Sequence, residues 1–170
     1  VLHASSMNLI LTLSTFFVLK RFNLNNFFSF YYSLLLSLSA YVISGTPFLD
    51  HHSIIFSILA IYCFFIAIQC KKNIFWALVP FLLILGFFSK QSPAIYLILL
   101  LALLSLIYFL FNFSIKSFLS ILFSSLLCLA IIILLLIKNN IELISFYNQY
   151  FLYPSSIGEL RMNVDGFITV

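Results

Sequence analysis

The fold is decided by residues 93–137, which read PAIYLILLLALLSLIYFLF-NFSIK-SFLSILFSSLLCLAIIILLLI. Two apolar runs, residues 93–111 and 117–137, are separated by a short gap that carries the only charge of the stretch, Lys116. Each run is close to the ~20 residues that a helix needs to cross the hydrocarbon core of a bilayer. Because a helix satisfies its own backbone hydrogen bonds, such runs predict membrane-spanning helices.

The same pattern extends through the chain, whose 170 residues include only eight Lys and Arg and four Asp and Glu. Hydrophobic residues make up 64%, and the mean hydropathy is +1.22, both well above the usual values for a soluble domain. We predict six spans, at residues 5–19, 27–43, 53–69, 74–88, 93–111 and 117–137. The fourth is short and contains Pro80, so we expect a tilt, a kink or incomplete spanning there.

The predicted fold class is therefore all-α, a polytopic transmembrane helix bundle of about six spans with an interfacial aromatic segment near the C-terminus. We expect residues 1–170 to form a single membrane domain, itself a fragment of a larger polytopic protein. Residues 138–170 are expected to form an exoplasmic loop or interfacial segment. The three cysteines show no metal-ligand spacing and are interpreted as small apolar residues.

The charged residues divide between two sides if the chain crosses the membrane at every predicted span. One side then holds five bases and no acid: Lys20, Arg21, Lys71, Lys72 and Lys116. The other side holds every acid together with three bases: Asp50, Glu142, Glu159, Asp165, Lys90, Lys138 and Arg161. By the positive-inside rule the first side is cytoplasmic and the second exoplasmic. We predict a multi-pass protein of the bacterial inner (plasma) membrane whose active face is exoplasmic.

A first candidate for chemistry is the segment SGTPFLDHHS at residues 44–53. A structural interpretation is that Asp50 or Ser53 caps the third helix and that His51 and His52 are hydrated interfacial residues. A functional interpretation is that Asp50, with His51 or His52, binds a metal ion or a sugar hydroxyl. Adjacent histidines point about 100° apart on a helix, so both are not expected to bind one ion. A divalent metal ion is the one cofactor that the sequence suggests.

A second candidate is the turn at residues 89–93, SKQSP. Pro93 suits the first turn of the fifth helix, and Ser92 is predicted to be its N-cap. Lys90 is either a snorkelling anchor or, together with Gln91 and the backbone N–H groups of the helix start, an anion site. A phosphate would fit such a site.

The third candidate is the tail, where Tyr147, Tyr150 and Tyr153 recur every three residues. This spacing predicts an amphipathic aromatic segment in the membrane interface. The alternative is an exoplasmic loop over a site for a lipid-linked sugar, with Glu159 and Arg161 reaching polar groups of the substrate.

Residues 50–108 resemble the membrane part of C-type glycosyltransferases, a class that includes protein O-mannosyltransferases and the lipid A aminoarabinose transferase. The resemblance lies in Thr46 and Asp50 after a span, in the basic gap Lys71-Lys72, and in the sequence GFFSK that ends at Lys90. It implies transfer of a sugar from a polyprenyl-phosphate-linked donor at the exoplasmic face. It also implies that Lys90 and Arg161 stabilise the departing phosphate and that Asp50 organises the cavity or helps to bind a metal.

Members of that class carry their principal catalytic carboxylate in a first exoplasmic loop, which has no counterpart before Ser44. We therefore assign no catalytic residue within this chain and expect the catalytic base upstream. The predicted substrate-binding residues are Asp50, Lys90, Gln91, Glu159 and Arg161, and the predicted metal ligands are Asp50, His51 and His52.

The favoured hypothesis is a cell-envelope glycosyltransferase. Its partners would be membrane lipid, a polyprenyl-phosphate sugar donor and a glycan, lipid or protein acceptor. The alternatives are a transporter or flippase of lipid-linked saccharides, or a non-catalytic membrane subunit. The net charge of +4 calls for no nucleic-acid partner, because bases at span ends account for most of it.

Overall fold

The structure, a computed structural model, describes residues 2–40, 49–154 and 156, and for Leu2, Leu49 and Asp50 it describes the helical backbone alone. Within these residues every regular element is a helix. The helices are α1 (Leu2–Arg21), α2 (Asn26–Ser39), α3 (Leu49–Cys70), α4 (Asn73–Ser89), α5 (Gln91–Phe111), α6 (Ile115–Lys138) and α7 (Leu143–Tyr147). A π-helical segment, Asn148–Leu152, follows α7. The all-α prediction is confirmed.

Each of the six predicted spans overlaps one helix, but within the described residues only three helices are long and apolar enough to cross a membrane. They are His51–Cys70 of α3, all of α5 and all of α6. The prediction of about six spans is thus too high for the described residues by this criterion. The 14 residues described for α2 and the 17 of α4 extend only about 21 and 25 Å at 1.5 Å per residue. Helix α1 is long enough, but His3, Asn8 and several Ser and Thr residues lower its hydropathy.

Tight turns keep consecutive helices close, and asparagine makes two of them. Asn23 and Asn140 have positive φ angles of 62° and 53°, the left-handed conformation that ends a helix. After α1 the N–H of Leu24 donates to the carbonyl of Leu19 at 3.2 Å, which satisfies a carbonyl that the helix end leaves free. Asn25 then caps α2 by accepting a hydrogen bond from the N–H of Phe28 at 2.8 Å.

Residues Val1–Cys128 and Leu129–Val170 form two compact units. The core of the first unit lies between α3, α4 and α5 around Trp76, which is 1% exposed. Phe64 meets the indole edge-on with ring centroids 5.6 Å apart, and Phe109 lies 5.1 Å away. Between helices in lipid, such contacts stabilise mainly through van der Waals packing. Lipid tails are as apolar as these side chains, so removing the side chains from lipid adds no hydrophobic driving force.

Hydroxyl groups join helices where side chains are small. Thr15 of α1 and the hydroxyl of Tyr62 in α3 are 3.0 Å apart. Ser124 of α6 donates to the carbonyl of Ala77, one turn before Pro80. Because a proline inside a helix removes a backbone N–H donor, a neighbouring hydroxyl is a usual way to satisfy displaced carbonyls at membrane depth.

Much of the outer surface of α5 and α6 is apolar. Leu110 is 74% exposed, Phe111 82% and Phe123 69%. Large apolar side chains with this exposure would be costly in water over so wide an area and are typical of helices that face lipid. The coarse prediction of a membrane protein is therefore supported by both composition and exposure.

Contacts between helix ends show that α3 and α4 run in opposite directions. At one end His3 contacts His52, and Ser53 contacts Lys90. At the other end Arg21 contacts Cys70 at 2.9 Å. We call the first the polar end, comprising His3, residues 51–53 and residues 89–92. The second is the basic end, comprising residues 20–21, 70–73 and 112–117.

The packing predicts that alanine substitutions of two aromatic residues change the free energy of unfolding by very different amounts. Trp76→Ala should lower the free energy of unfolding by about 3–5 kcal/mol, because its indole fills the space between three helices. Phe111→Ala, which removes a side chain that is 82% exposed, should change it by less than about 1 kcal/mol. Reversible unfolding in mixed detergent micelles measures both, and equal effects would contradict this core.

Candidate functional site

The polar end brings together the start of α3 and the turn between α4 and α5. Lys90 is the single residue that separates α4 from α5, with extended backbone angles (φ −158°, ψ 125°). Its N–H donates to the carbonyl of Gly86 at 3.0 Å, and its own carbonyl accepts from Ser53 Oγ at 3.1 Å. The backbone of Lys90 is thus fixed on both sides, while its side chain is exposed.

Ser53 does not cap α3, contrary to one sequence interpretation. Helix α3 already includes Leu49, so Ser53 lies inside it and is fully buried. A buried hydroxyl needs a partner, and that of Ser53 donates to the carbonyl of Lys90, at the break between two helices. This hydrogen bond therefore links the start of α3 to the turn between α4 and α5.

Ser92 is not a cap either. Helix α5 begins at Gln91, and Lys90 occupies its N-cap position without a side-chain hydrogen bond to the helix. The prediction that Pro93 lies in the first turn is confirmed, since α5 starts two residues before it. The side chain of Lys90 therefore caps none of the first N–H groups of α5. N–H groups at the start of a helix can bind an anion.

Gly86 allows the helices to come close beneath this turn. A Cβ atom at this position would lie 3.5 Å from the carbonyl oxygen of Ser53, 3.6 Å from Cβ of Phe56 and 3.7 Å from Cβ of Ala94. These are ordinary contact distances for one methyl group, but they leave no room for a longer side chain. Gly86 therefore fixes how closely α4 approaches α3 and α5 at the polar end.

His52 pairs with a residue that the sequence reasoning missed, His3 of α1. The two Nε2 atoms are 2.7 Å apart, and the ring planes differ by only 14°. The ring centroids are 4.9 Å apart, farther than the nitrogens by roughly the diameter of one imidazole. The rings therefore lie end to end rather than face to face. One Nε2 donates its proton and the other accepts it, so the pair needs opposite roles for the two rings.

The metal site predicted at Asp50, His51 and His52 is described only in part, because the side chain of Asp50 lies outside the described residues. No group of three His, Cys, Asp or Glu side chains in that part could hold a metal ion. His3 and His52 supply two nitrogens, whereas zinc sites in proteins have three or four protein ligands. His51 is partly buried beside them. The metal site at Asp50, His51 and His52 therefore stays a prediction.

Several predicted site residues can be placed only in part. The backbone of Asp50 lies in the first turn of α3, where the helix dipole favours a carboxylate. Thr46, Glu159 and Arg161 lie outside the described residues. Gln91 is partly buried at the start of α5, directly after Lys90.

The aromatic tail belongs to the second unit and is helical, as predicted. Phe146 stacks on Tyr150 with centroids 4.8 Å apart, and Tyr147 stacks on Phe151 at 5.5 Å. The stacked partners are four residues apart, so they share one side of the α7 and π-helical segment. This arrangement agrees with an interfacial aromatic segment and by itself indicates no substrate.

Comparison with protein-family models, with curated proteins and with solved structures gave no match. The functional argument therefore depends on the chain's own residues.

Two substitutions at one position test the close approach at Gly86. Gly86→Ala should leave stability within about 1 kcal/mol of the wild type, because its methyl group meets only ordinary contacts. Gly86→Leu should cost about 1–3 kcal/mol by forcing α4 away from α3 and α5. Unfolding in mixed micelles measures both, and a neutral leucine would show that the helices are not in close contact there.

Proposed function

We propose that this chain is part of a membrane glycosyltransferase that takes a sugar from a polyprenyl-phosphate-linked donor at the exoplasmic face. The observation that carries the proposal is the hydrogen bond from Ser53 Oγ to the carbonyl of Lys90. It brings the start of α3, with Asp50 in its first turn, to the same end of the helices as the Lys90–Gln91 turn. These are two of the three segments in which the resemblance to C-type glycosyltransferases is found; the third is the basic gap Lys71-Lys72.

The topology is part of the same proposal. Helices α1, α2 and α4 would complete six spans together with α3, α5 and α6, with local bilayer thinning compensating for the short helices. The polar end would then be exoplasmic and the basic end cytoplasmic, in a bacterial plasma membrane. Five bases and no acid in the gaps of one side support this orientation.

The chemistry assigns distinct tasks to the two segments. In the transfer step an acceptor oxygen forms a bond to the anomeric carbon while the bond from that carbon to the lipid phosphate oxygen breaks. Negative charge grows on the departing phosphate, and the Lys90 ammonium with the amide of Gln91 would stabilise it. The acceptor proton goes to a carboxylate base that we place upstream of this chain. Asp50 would bind hydroxyl groups of the sugar.

The fixed backbone of Lys90 would help this residue to stabilise the departing phosphate. Groups that stabilise a developing charge act most strongly when they are oriented before the reaction. The hydrogen bonds to Gly86 and Ser53 set the position of the Lys90 Cα atom, so that only the flexible side chain has to find the phosphate. Glu159 and Arg161, which lie outside the described residues, stay predicted substrate-binding residues.

Substitutions that remove the charge of Lys90 or of Asp50, made in the full-length protein, test the site. Lys90→Ala and Asp50→Asn should each reduce transfer of labelled sugar from a polyprenyl-phosphate donor by about 100-fold or more, the usual effect of removing one transition-state contact. Lys90→Arg should retain part of the activity, because it keeps the charge. Lys138→Ala, which removes an exposed lysine at the end of α6, is the matched control and should stay near wild-type activity.

Membrane levels of all variants must be equal for this comparison. Near-normal transfer by both Lys90→Ala and Asp50→Asn would remove the site assignment. Movement of a lipid-linked saccharide across vesicles without any new glycosidic bond would instead favour the transporter hypothesis.

A further inference from the structure

We propose that the basic end binds an anionic phospholipid of the surrounding leaflet, with its phosphate at Lys71 and an acyl chain along the groove below Lys116. This site lies at the opposite end of the helices from the proposed transferase site. It does not depend on that function.

A polar cavity of about 250 Å³ lies at the basic end of the first unit, lined in part by Lys71, Trp76, Tyr108, Ser114 and Ser117. It combines a cation, hydroxyl groups and the indole and phenol rings that are common at the level of lipid head groups. This set suits a phosphate oxygen on one side and glycerol or acyl carbons on the other.

The cavity is built by a hydrogen bond between helix starts. Ser117 is buried, and its hydroxyl lies 3.1 Å from Oδ1 of Asn73 and 3.3 Å from Oγ of Ser114. This contact holds the start of α6 against the start of α4. It therefore brings the exposed Lys71 and Lys72, which precede α4, to the same end of the helices as Lys116, near the start of α6.

Lys71, Lys72 and Lys116 thus share this end with Lys20 and Arg21, and no acid is near them in the sequence. Within residues 1–128 the only acid is Asp50, which lies at the opposite end of α3. Like charges held together repel one another unless an anion binds between or beside them. The anion therefore has to come from outside this part of the chain.

An apolar groove of about 590 Å³ adjoins the cavity and points to a lipid as the source of the anion. Lys116 stands at its head, and Ala77, Leu119, Phe123 and Leu126 line it along α4 and α6. Trp76 and Ala77 are consecutive, as are Lys116 and Ser117, so in each pair one residue lines the cavity and the other lines the groove. A soluble phosphate would use only the cavity, whereas a phospholipid fills both parts with matching chemistry.

Trp76 makes the proposal testable, because it is the only tryptophan and lines the cavity. The full chain is placed in nanodiscs of phosphatidylcholine that contain a small fraction of acyl-brominated phosphatidylglycerol or, in a parallel sample, of acyl-brominated phosphatidylcholine. Bromine quenches a nearby indole. We expect stronger quenching of Trp76 by the brominated anionic lipid, although the indole is 1% exposed and shielded from bulk lipid.

Lysine variants identify the headgroup contact. Each surface lysine is worth about 1 kcal/mol toward anionic lipid, so Lys71→Gln and Lys116→Gln should each weaken the preference for phosphatidylglycerol about fivefold. Lys20→Gln is the matched control: it removes a base from the same end but does not line the cavity or the groove. It should keep the full preference.

Two outcomes would overturn the proposal. Equal quenching by the two brominated lipids would show that no anionic lipid is selected. Reversal of the quenching by millimolar inorganic phosphate would show that the cavity takes a soluble anion. If Lys71→Gln proves unstable, Ser114→Ala in the same cavity provides the second variant and should also reduce the preference.

Discussion

Hydrocarbon tolerates neither free backbone polar groups nor unpaired charges, and this constraint places nearly all of the chain's chemistry at the ends of its helices. Every described charged residue lies at or next to a helix end. The turns that connect the helices are correspondingly short. Lys71 itself adopts a positive φ of 53°, and only two residues separate the end of α3 from the start of α4. A turn of this kind exposes the fewest backbone groups and at the same time presents the lysines at its surface.

The same constraint applies to polar groups in the interior, where an unpaired hydrogen-bond donor or acceptor is costly. Pro80 lies within α4, and the hydroxyl of Ser124 donates to the carbonyl of Ala77 close by. Thr15 and Tyr62 similarly pair across α1 and α3. These three hydroxyls are paired within the protein, whereas Asn8 Oδ1 and Ser57 Oγ are buried without a hydrogen-bond partner among the described residues.

The apolar runs predicted the helices well because length and hydrophobicity are local properties. The predicted span at residues 93–111 differs from α5 by two residues, and that at residues 117–137 differs from α6 by three in total. Helix ends were predicted less well. Ser53 and Ser92 have the residue type of a cap, but Ser53 instead bonds a carbonyl 37 positions away. That choice depends on where another helix ends, which no local pattern reveals.

For the candidate site, the sequence predicted which segments come together but not the contacts between them. Alternation of sides placed the segments at residues 50–53 and 89–92 together, and the contact between Ser53 and Lys90 agrees with this. His3 could have been included by the same reasoning, since it begins a helix on the side assigned to His52. Its end-to-end geometry with His52, however, depends on the packing of α1 against α3. Fewer helices than predicted spans are long and apolar enough to cross a membrane among the described residues, because polar residues lower the hydropathy of α1 and because α4 and the described part of α2 are short.

The account depends most directly on the polar and basic ends lying on opposite sides of one membrane. Single cysteines at positions 90 and 71, in a full-length protein whose native cysteines are replaced, can be labelled in intact cells with a membrane-impermeant thiol reagent. We expect labelling at position 90 in intact cells and at position 71 only after the membrane is permeabilised. Labelling of both positions from outside, or of position 71 alone, would contradict the two-sided arrangement on which the glycosyltransferase and lipid sites are built.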